Sequence, residues 1–341
     1  MSVNATAELP FAYGGPPLRG TLRSSPEDFL VDEDLGFAPD GAGEHVFVRI
    51  EKRGANTDWV ARELARFAGV GADAVSYAGL KDRHAVARQT FSIHLPGRPD
   101  LDWSALAHPE FRVLGAARHA RKLKRGALDA NLFTIVLRGV AGDRDAAARR
   151  LADIAARGVP NYFGEQRFGR GGANLDKARA MFAGRRLPRH ERSLLLSSAR
   201  SHLFNLALAA RIERGGWLRP LDGEVWMLAG SRSIFGPEPL SAELRARHEA
   251  NDIAPTGPLW GAGELRSAGE VAALEQAVAA AHPDLSAGVV AAGLSQERRS
   301  LVLIPQGFAS TWIAADALEL SFRLPAGAYA TAVLREVCDW A

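Results

Sequence analysis

The sequence predicts an α+β protein, a mixed or antiparallel sheet with flanking helices into which a long helix-rich segment is inserted. Three observations carry this. Segments with the two-residue period of half-buried strands crowd the stretch from residue 19 to about 140 and return in the last forty residues. Between them, from about 144 to 300, apolar residues recur at helical spacing. The early strands alternate with single helices and longer returns, which fits mixed or antiparallel pairing better than a doubly wound sheet.

Taken in order, residues 44–51 put Val46, Val48 and Ile50 on one face. A helix follows, capped by Asn56 or Thr57, with Val60, Leu64 and Phe67 as its stripe. Residues 89–95 alternate Phe91, Ile93 and Leu95, and 131–137 alternate Phe133, Ile135 and Leu137. The next segment is helical: 144–157 with Leu151 and Ile154, then 193–214 with Leu194, Leu203, Leu206 and Leu208, then 272–281. The glycines and prolines of 254–263 read as a surface loop. Strand patterns return at 301–304 and 318–324, and a short helix follows Gly327. This return predicts that the closing segment rejoins the first sheet, making the middle an insertion.

A hydrophobic fraction of 47% against 24% charged argues for a soluble globular chain and against wholesale disorder. No run of about 18 apolar residues exists to span a bilayer, and the N-terminus lacks the basic start and apolar core of a secretory signal. The single cysteine, Cys338, makes neither an intramolecular disulfide nor a multi-cysteine metal site, as expected in a reducing cytoplasm. With Val333, Leu334 and Val337 it reads as part of an apolar helical pattern and a small core residue. The net charge is only +3, but five of the eight residues from Arg118 to Arg125 are Lys or Arg. Arg121, Lys122, Lys124 and Arg125 concentrate positive potential that attracts phosphate, although such runs are also ordinary solvated faces.

The most informative stretch is the turn Gly79, Leu80, Lys81, Asp82, Arg83, His84. It sets one carboxylate among potential cations, which favour its charged form and fix its rotamer through charge-assisted hydrogen bonds. An ionised, oriented carboxylate suits nucleophilic attack or proton abstraction. A charged turn is the plainer meaning of Lys-Asp-Arg; Gly79, which permits an unusual angle or close approach, and the apolar flanks weigh against it. Residues 160–172 combine Phe163, Phe168, four glycines, Arg167 and Arg170. Arginines fork onto phosphate and aromatics stack on bases, so contact with an anion is preferred to a glycine-rich connection whose aromatics fill a core. There is no GxxxxGK[ST] loop, no HExxH and no paired CxxC, and His84, His94, His108 and His119 form no helical ligand pair. Neither a metal nor a cofactor is indicated.

At this point several runs together resemble the TruD family of tRNA pseudouridine synthases: 77–89 (YAGLKDRHAVARQ), 119–133 (HARKLKRGALDANLF) and 160–174 (PNYFGEQRFGRGGAN), with outer motifs at 26–29 and 324–331. The resemblance runs from about Arg23 to Arg335, and it is the five motifs in order that make it specific. It implies isomerisation of uridine 13 of tRNA to pseudouridine without a cofactor, with Asp82 on the catalytic aspartate. It puts Phe29, Asn131 and Tyr329 on positions that contact the target nucleotide, and Phe133 on the aromatic of the same NxF motif. Arg23 stands where lysine is frequent, as a partner of a phosphate or of the aspartate. Tyr329 replaces a common phenylalanine and adds a hydroxyl that needs a partner if buried. The implied fold is a pseudouridine synthase domain over 1–155 and 304–341, with an inserted TRUD domain over 156–303.

On this reading the target nucleotide is flipped into a pocket walled by Phe29 and Tyr329, with Asn131 hydrogen-bonding to it. Asp82 attacks C1′, attacks uracil C6, or removes the C2′ proton; the residues leave all three open. Lys81, Arg83, His84, the 118–125 cluster, Arg167 and Arg170 face the RNA backbone, so binding weakens steeply with salt. The partner is tRNA, with no membrane, no protein partner and a monomeric chain. The alternative is an RNA-binding module or chaperone without catalysis, which has no use for Asp82; a metal-independent hydrolase is a third.

Overall fold

The computed structural model describes residues 9–340; residues 1–8, part of the stretch read as lacking a secretory signal, lie outside the described residues. The chain divides into two units. One comprises Met1–Pro16, Ala152–Ile304 and Ala328–Val337, the other Pro17–Leu151, Pro305–Gly327 and Cys338–Ala341. In chain order the elements begin β1 (Leu18–Leu22), β2 (Phe29–Asp34), β3 (His45–Arg53), α1 (Thr57–Phe67), β4 (Val75–Tyr77), β5 (Val86–His94), β6 (Phe111–His119), β7 (Ala130–Gly142) and α2 (Arg144–Arg157). There follow β8 (Val159–Pro160), α3 (Ala173–Phe182), α4 (Arg189–Glu213), β9 (Trp226–Leu228), β10 (Ile234–Phe235), α5 (Ala242–Glu249), β11 (Ile253–Leu259), α6 (Gly269–Ala281) and α7 (Pro283–Ala291). The chain closes with β12 (Glu297–Ser300), β13 (Val302–Leu303), β14 (Gln306–Ala314), β15 (Ala317–Pro325), α8 (Ala330–Leu334) and β16 (Cys338–Trp340). Among the described residues no helix is long and apolar enough to cross a membrane.

The unit that contains Asp82 is built on a ten-stranded sheet among the described residues, with the path β14-β15-β7-β2-β5-β3-β6. β1 pairs with β7 and β16, and β4 pairs with β5. The sheet is mixed: β2 runs parallel to β5 and β1 to β16, while the other pairs are antiparallel. Strand parity explains the core. Val46, Val48 and Ile50 of β3 meet Val60, Ala61 and Leu64 of α1, with Phe91 and Ile93 of β5, in one buried cluster. Each large member contributes about 1.5–3 kcal/mol by leaving water. Asn56 occupies the cap position of α1, but its side chain makes no capping hydrogen bond. The Thr57 hydroxyl is turned instead toward Gln89. The closing segment pairs β15 with β7 from Leu318↔Leu137 to Pro325↔Ala130.

The other unit has a four-stranded sheet, β10-β9-β11-β12, and the two-stranded pair β13-β8. Several expectations are corrected here. Residues 254–259 are no surface loop, because β11 lies between β9 and β12, and only 260–263 remain outside a strand. Its two prolines lack N–H groups, but Thr256 N donates to Val225 O at 3.0 Å and Pro255 O accepts from Leu301 N at 2.9 Å. Gly257 admits close packing: a Cβ there would lie 2.7 Å from Leu301 and 3.1 Å from Phe204. Of 301–304 only Val302 and Leu303 pair, with β8 in this unit and not with the large sheet. In α4, Leu203 and Leu208 are buried as expected, but at the first position Leu195 is buried in place of the exposed Leu194. Cys338 is buried as expected but stands in β16, in register with Leu18, after α8 has ended at Leu334.

Candidate active site

Residues 79–84 bridge β4 and β5 without regular structure, and side chains of the neighbouring elements hold them. Gln89 of β5 donates from Nε2 to Gly79 O at 3.3 Å and accepts the Thr57 hydroxyl at 2.9 Å. The same hydroxyl oxygen accepts from Lys81 N at 3.1 Å. The expectation for Gly79 is not met: its φ is not positive, and a Cβ there would meet nothing within 4 Å.

The Asp82 carboxylate is held at both oxygens. Oδ2 lies 2.7 Å from Arg23 Nη2, with the two side chains 21% and 24% exposed. Oδ1 accepts from the His84 amide at 3.0 Å, the local turn that aspartate favours. Arg23 follows β1 with a left-handed φ of 62°, and its guanidinium sits 4.4 Å from the Phe29 ring centroid. Phe29 meets Phe133 edge-on at 6.1 Å, and Phe133 meets Phe322 at 5.5 Å. Asp82, Arg23, Phe29 and Phe133 thus form one chain of contacts, and of the two roles expected for Arg23 the structure gives it the aspartate. Phe29 and Phe133 are buried. Asn131 stands in register with Glu33 on β2 and Leu324 on β15. Its Oδ1 is buried without a hydrogen-bond partner among the described residues.

Lys81 differs from its expected place at the RNA backbone. Its ammonium is turned inward, 2.6 Å from Glu33 Oε2, and the side chain is only 6% exposed. The cause lies in β2: Glu33 shares the parity of buried Phe29 and Val31, so its carboxylate enters the interior, where a charge needs a partner. Glu33 Oε1 also accepts from Thr90 N at 3.0 Å. Lys52 is wholly buried and continues the face of Val46, Val48 and Ile50. Its ammonium donates to Asp82 O at 2.7 Å, Ala55 O at 2.8 Å and Lys81 O at 3.4 Å. Burial pushes Lys52 down to about 8, with the Asp82 charge opposing the shift and Lys81 adding to it.

Of the other cations of this unit expected at the RNA backbone, Arg83, His84, Arg121, Lys122, Lys124 and Arg125 are exposed, whereas Arg118 is only 14% exposed and pairs with Asp100. Arg83 Nε reaches Gly54 O at 2.9 Å, and His84 faces solvent. Arg121, Lys122, Lys124 and Arg125 surround the buried Leu123. Arg125 also donates to the Tyr77 hydroxyl at 3.2 Å.

Tyr329, Arg167 and Arg170 belong to the other unit. The Tyr329 hydroxyl finds the partner it needs, accepting from Arg167 Nε at 3.0 Å, while Arg167 Nη1 donates to Ser197 Oγ at 3.0 Å. Gly164 makes room for the tyrosine, since a Cβ there would lie 3.1 Å from the ring and 2.9 Å from Thr331 Oγ1. Phe163 and Phe168 are core residues, whereas Gln166 and Arg170 are exposed. Arg299 lies 4.2 Å over the Phe163 ring and donates to Asn161 Oδ1 at 2.6 Å. Burial pushes its guanidinium down to about 10, with the charges of Arg167 and Arg232 adding and Tyr329 opposing.

Sequence reasoning missed Glu33, Lys52, Thr57, Gln89 and Arg299. For three of them a signal existed: Glu33, Lys52 and Gln89 are polar residues at positions that the strand period assigns to the core.

The family model for tRNA pseudouridine synthase D (TruD) matches residues 8–174 and 173–337. The chain belongs to the TruD family. It is 51% identical to a tRNA pseudouridine synthase D of Xanthomonas euvesicatoria, over 99% of this chain and 96% of the relative. It is also 51% identical to the tRNA pseudouridine synthase D of Aeromonas salmonicida, over 97% and 94%. A crystal structure assigned as tRNA pseudouridine synthase D from Methanosarcina mazei aligns with a TM-score of 0.70. It covers 96% of this chain and 95% of its own at 23% identity, so it speaks for the fold alone. The TruD α+β architecture is the one built here from strand parity.

Proposed function

We propose that this chain is a tRNA pseudouridine synthase that isomerises uridine 13 of tRNA, with Asp82 as its catalytic carboxylate. One observation carries the reading: a partly exposed aspartate held at one oxygen by Arg23 and at the other by the His84 amide, in a chain of the TruD family. A carboxylate fixed in this way acts without first reorganising. The reaction breaks the N1–C1′ bond, turns the uracil and joins C5 to C1′, and the C5 hydrogen leaves as a proton. Asp82 serves it by attack at C1′, attack at uracil C6, or removal of the C2′ proton. The unpartnered Asn131 Oδ1 supports a role as acceptor for the flipped nucleotide, since a buried acceptor left unmet is costly. Phe29 is read as a pocket wall with Phe133 behind it, and the resemblance gives Tyr329 a contact with the target nucleotide. The exposed Arg83, His84, Arg121, Lys122, Lys124, Arg125 and Arg170 suit the RNA backbone. The resemblance carries the lack of need for a cofactor and 156–303 as the inserted domain; a cytoplasmic site of action rests on the single cysteine and a monomeric chain on the size of tRNA.

The test uses tRNA transcripts carrying tritium at C5 of uridine, with a matched transcript in which position 13 is cytidine. Wild type should release tritium from the first and not the second. Asp82→Asn should release none while retaining tRNA binding. Tight binding with no release by wild type would leave a binding module in place of the enzyme.

A further inference from the structure

Resting on the reading of Asp82 as the catalytic carboxylate, we propose that Lys52 is a positioning residue that fixes Asp82 through its own main chain. The contacts described above treat the carboxylate from outside, through Arg23 and the His84 amide. Lys52 works from inside. Its three ammonium protons face three main-chain carbonyls, those of Ala55, Lys81 and Asp82. The carbonyl of Lys81 belongs to the peptide plane before the Asp82 Cα, and the carbonyl of Asp82 to the plane after it. Peptide groups are rigid, so holding both planes sets φ and ψ of Asp82 and with them the direction of its Cα–Cβ bond. The outer contacts then need only select the rotamer.

Stability alone does not account for where the Lys52 donors go, two of them to the peptide planes that flank Asp82. The lysine is wholly buried at the end of an apolar strand face, and an apolar side chain there would leave the three carbonyls without their donor. The charged groups that bear on its ammonium are the Asp82 carboxylate and the ammonium of Lys81, itself paired with Glu33. One buried cation therefore lies beneath the carboxylate-bearing turn, in addition to the guanidinium that meets the carboxylate directly.

The experiment measures single-turnover tritium release and tRNA affinity for wild type, Lys52→Met, Lys52→Gln and Asp82→Asn, with the melting temperature of each. Lys52→Met should melt below wild type, because three carbonyls lose their donor, yet its folded fraction should bind tRNA with unchanged Kd and turn over about 100-fold more slowly, the scale of a misplacement near 1 Å. Lys52→Gln, which keeps two N–H donors, should recover part of that loss. A merely structural role would lower the melting temperature as well but leave the rate of the folded fraction intact. Lys52→Met that is folded and turns over at the wild-type rate overturns the proposal and leaves the reading of Asp82 standing. Absence of release by wild type removes that reading itself. If both Lys52 variants fail to fold, the wild-type profile decides. The rate should fall above pH 8 as Lys52 loses its charge and one donor, and a plateau through pH 9 overturns the proposal.

Discussion

Glu33 and Lys81 form a pair that neither residue could sustain alone. The carboxylate is fully buried and the ammonium nearly so, at 2.6 Å. Removing one partner leaves a charge in the interior, so Glu33→Gln or Lys81→Met should each cost about 3–5 kcal/mol. Removing both should cost far less, and a urea-denaturation double-mutant cycle reads the coupling directly. The same residues mark how far the site was legible. Asp82 stands out in sequence because a carboxylate among cations is a local pattern, whereas Arg23 is reached only through the resemblance. Lys52 and Glu33 do not stand out, because a charged residue at a strand end reads as solvated. Only its parity with Val48, or with Val31, betrays it. Lys81 was misplaced for the converse reason: adjacency to Asp82 in sequence suggested a shared surface, whereas the acid it serves comes from β2.

At the level of elements, periodicity located β3, β5, β7, β15 and α1, where one face is apolar and the other polar. It failed at β11, whose prolines mimic a loop, since nothing local reveals that the Val225 carbonyl and the Leu301 amide supply the pairing. It slipped by one residue in α4, where Leu194 and Leu195 adjoin and either could face inward. Close approach between helices is equally silent in sequence. Gly288 of α7 lies against Phe182 at the end of α3, and a Cβ there would come within 2.3 Å of the ring. Gly288→Ala should therefore destabilise by about 1–3 kcal/mol through overpacking. Thermal melting should show the loss, with partial recovery in Gly288→Ala combined with Phe182→Leu.

For the molecule as a whole, acid stability has an identifiable source. His202 of α4 lies edge-on to Phe168 at 6.0 Å and to His282 at 5.9 Å, and its Nδ1 is buried without a partner among the described residues. Burial pushes it down to about 4, with the charges of His282 and Arg179 adding. The unfolded chain binds a proton near 6.5 while the folded chain resists until about 4, so stability is full above pH 6.5 and is lost as pH falls toward 4. The loss is roughly 3 kcal/mol, and denaturation midpoints from pH 7 to 4 should flatten in His202→Phe.

The pairing of β15 with β7 carries one more consequence, for the chain as it leaves the ribosome. β7 can zip onto β2 as soon as it is made, but its other edge must wait for Ala317–Pro325, about 175 residues after Gly142. At roughly 5–20 residues per second, that edge, with buried-to-be Phe133, Ile135 and Leu137, stays open for about ten seconds or more. An open apolar edge invites pairing with another nascent chain. The residues between β7 and β15 thus delay the completion of the sheet that holds Asp82 until long after its first strands have been synthesised.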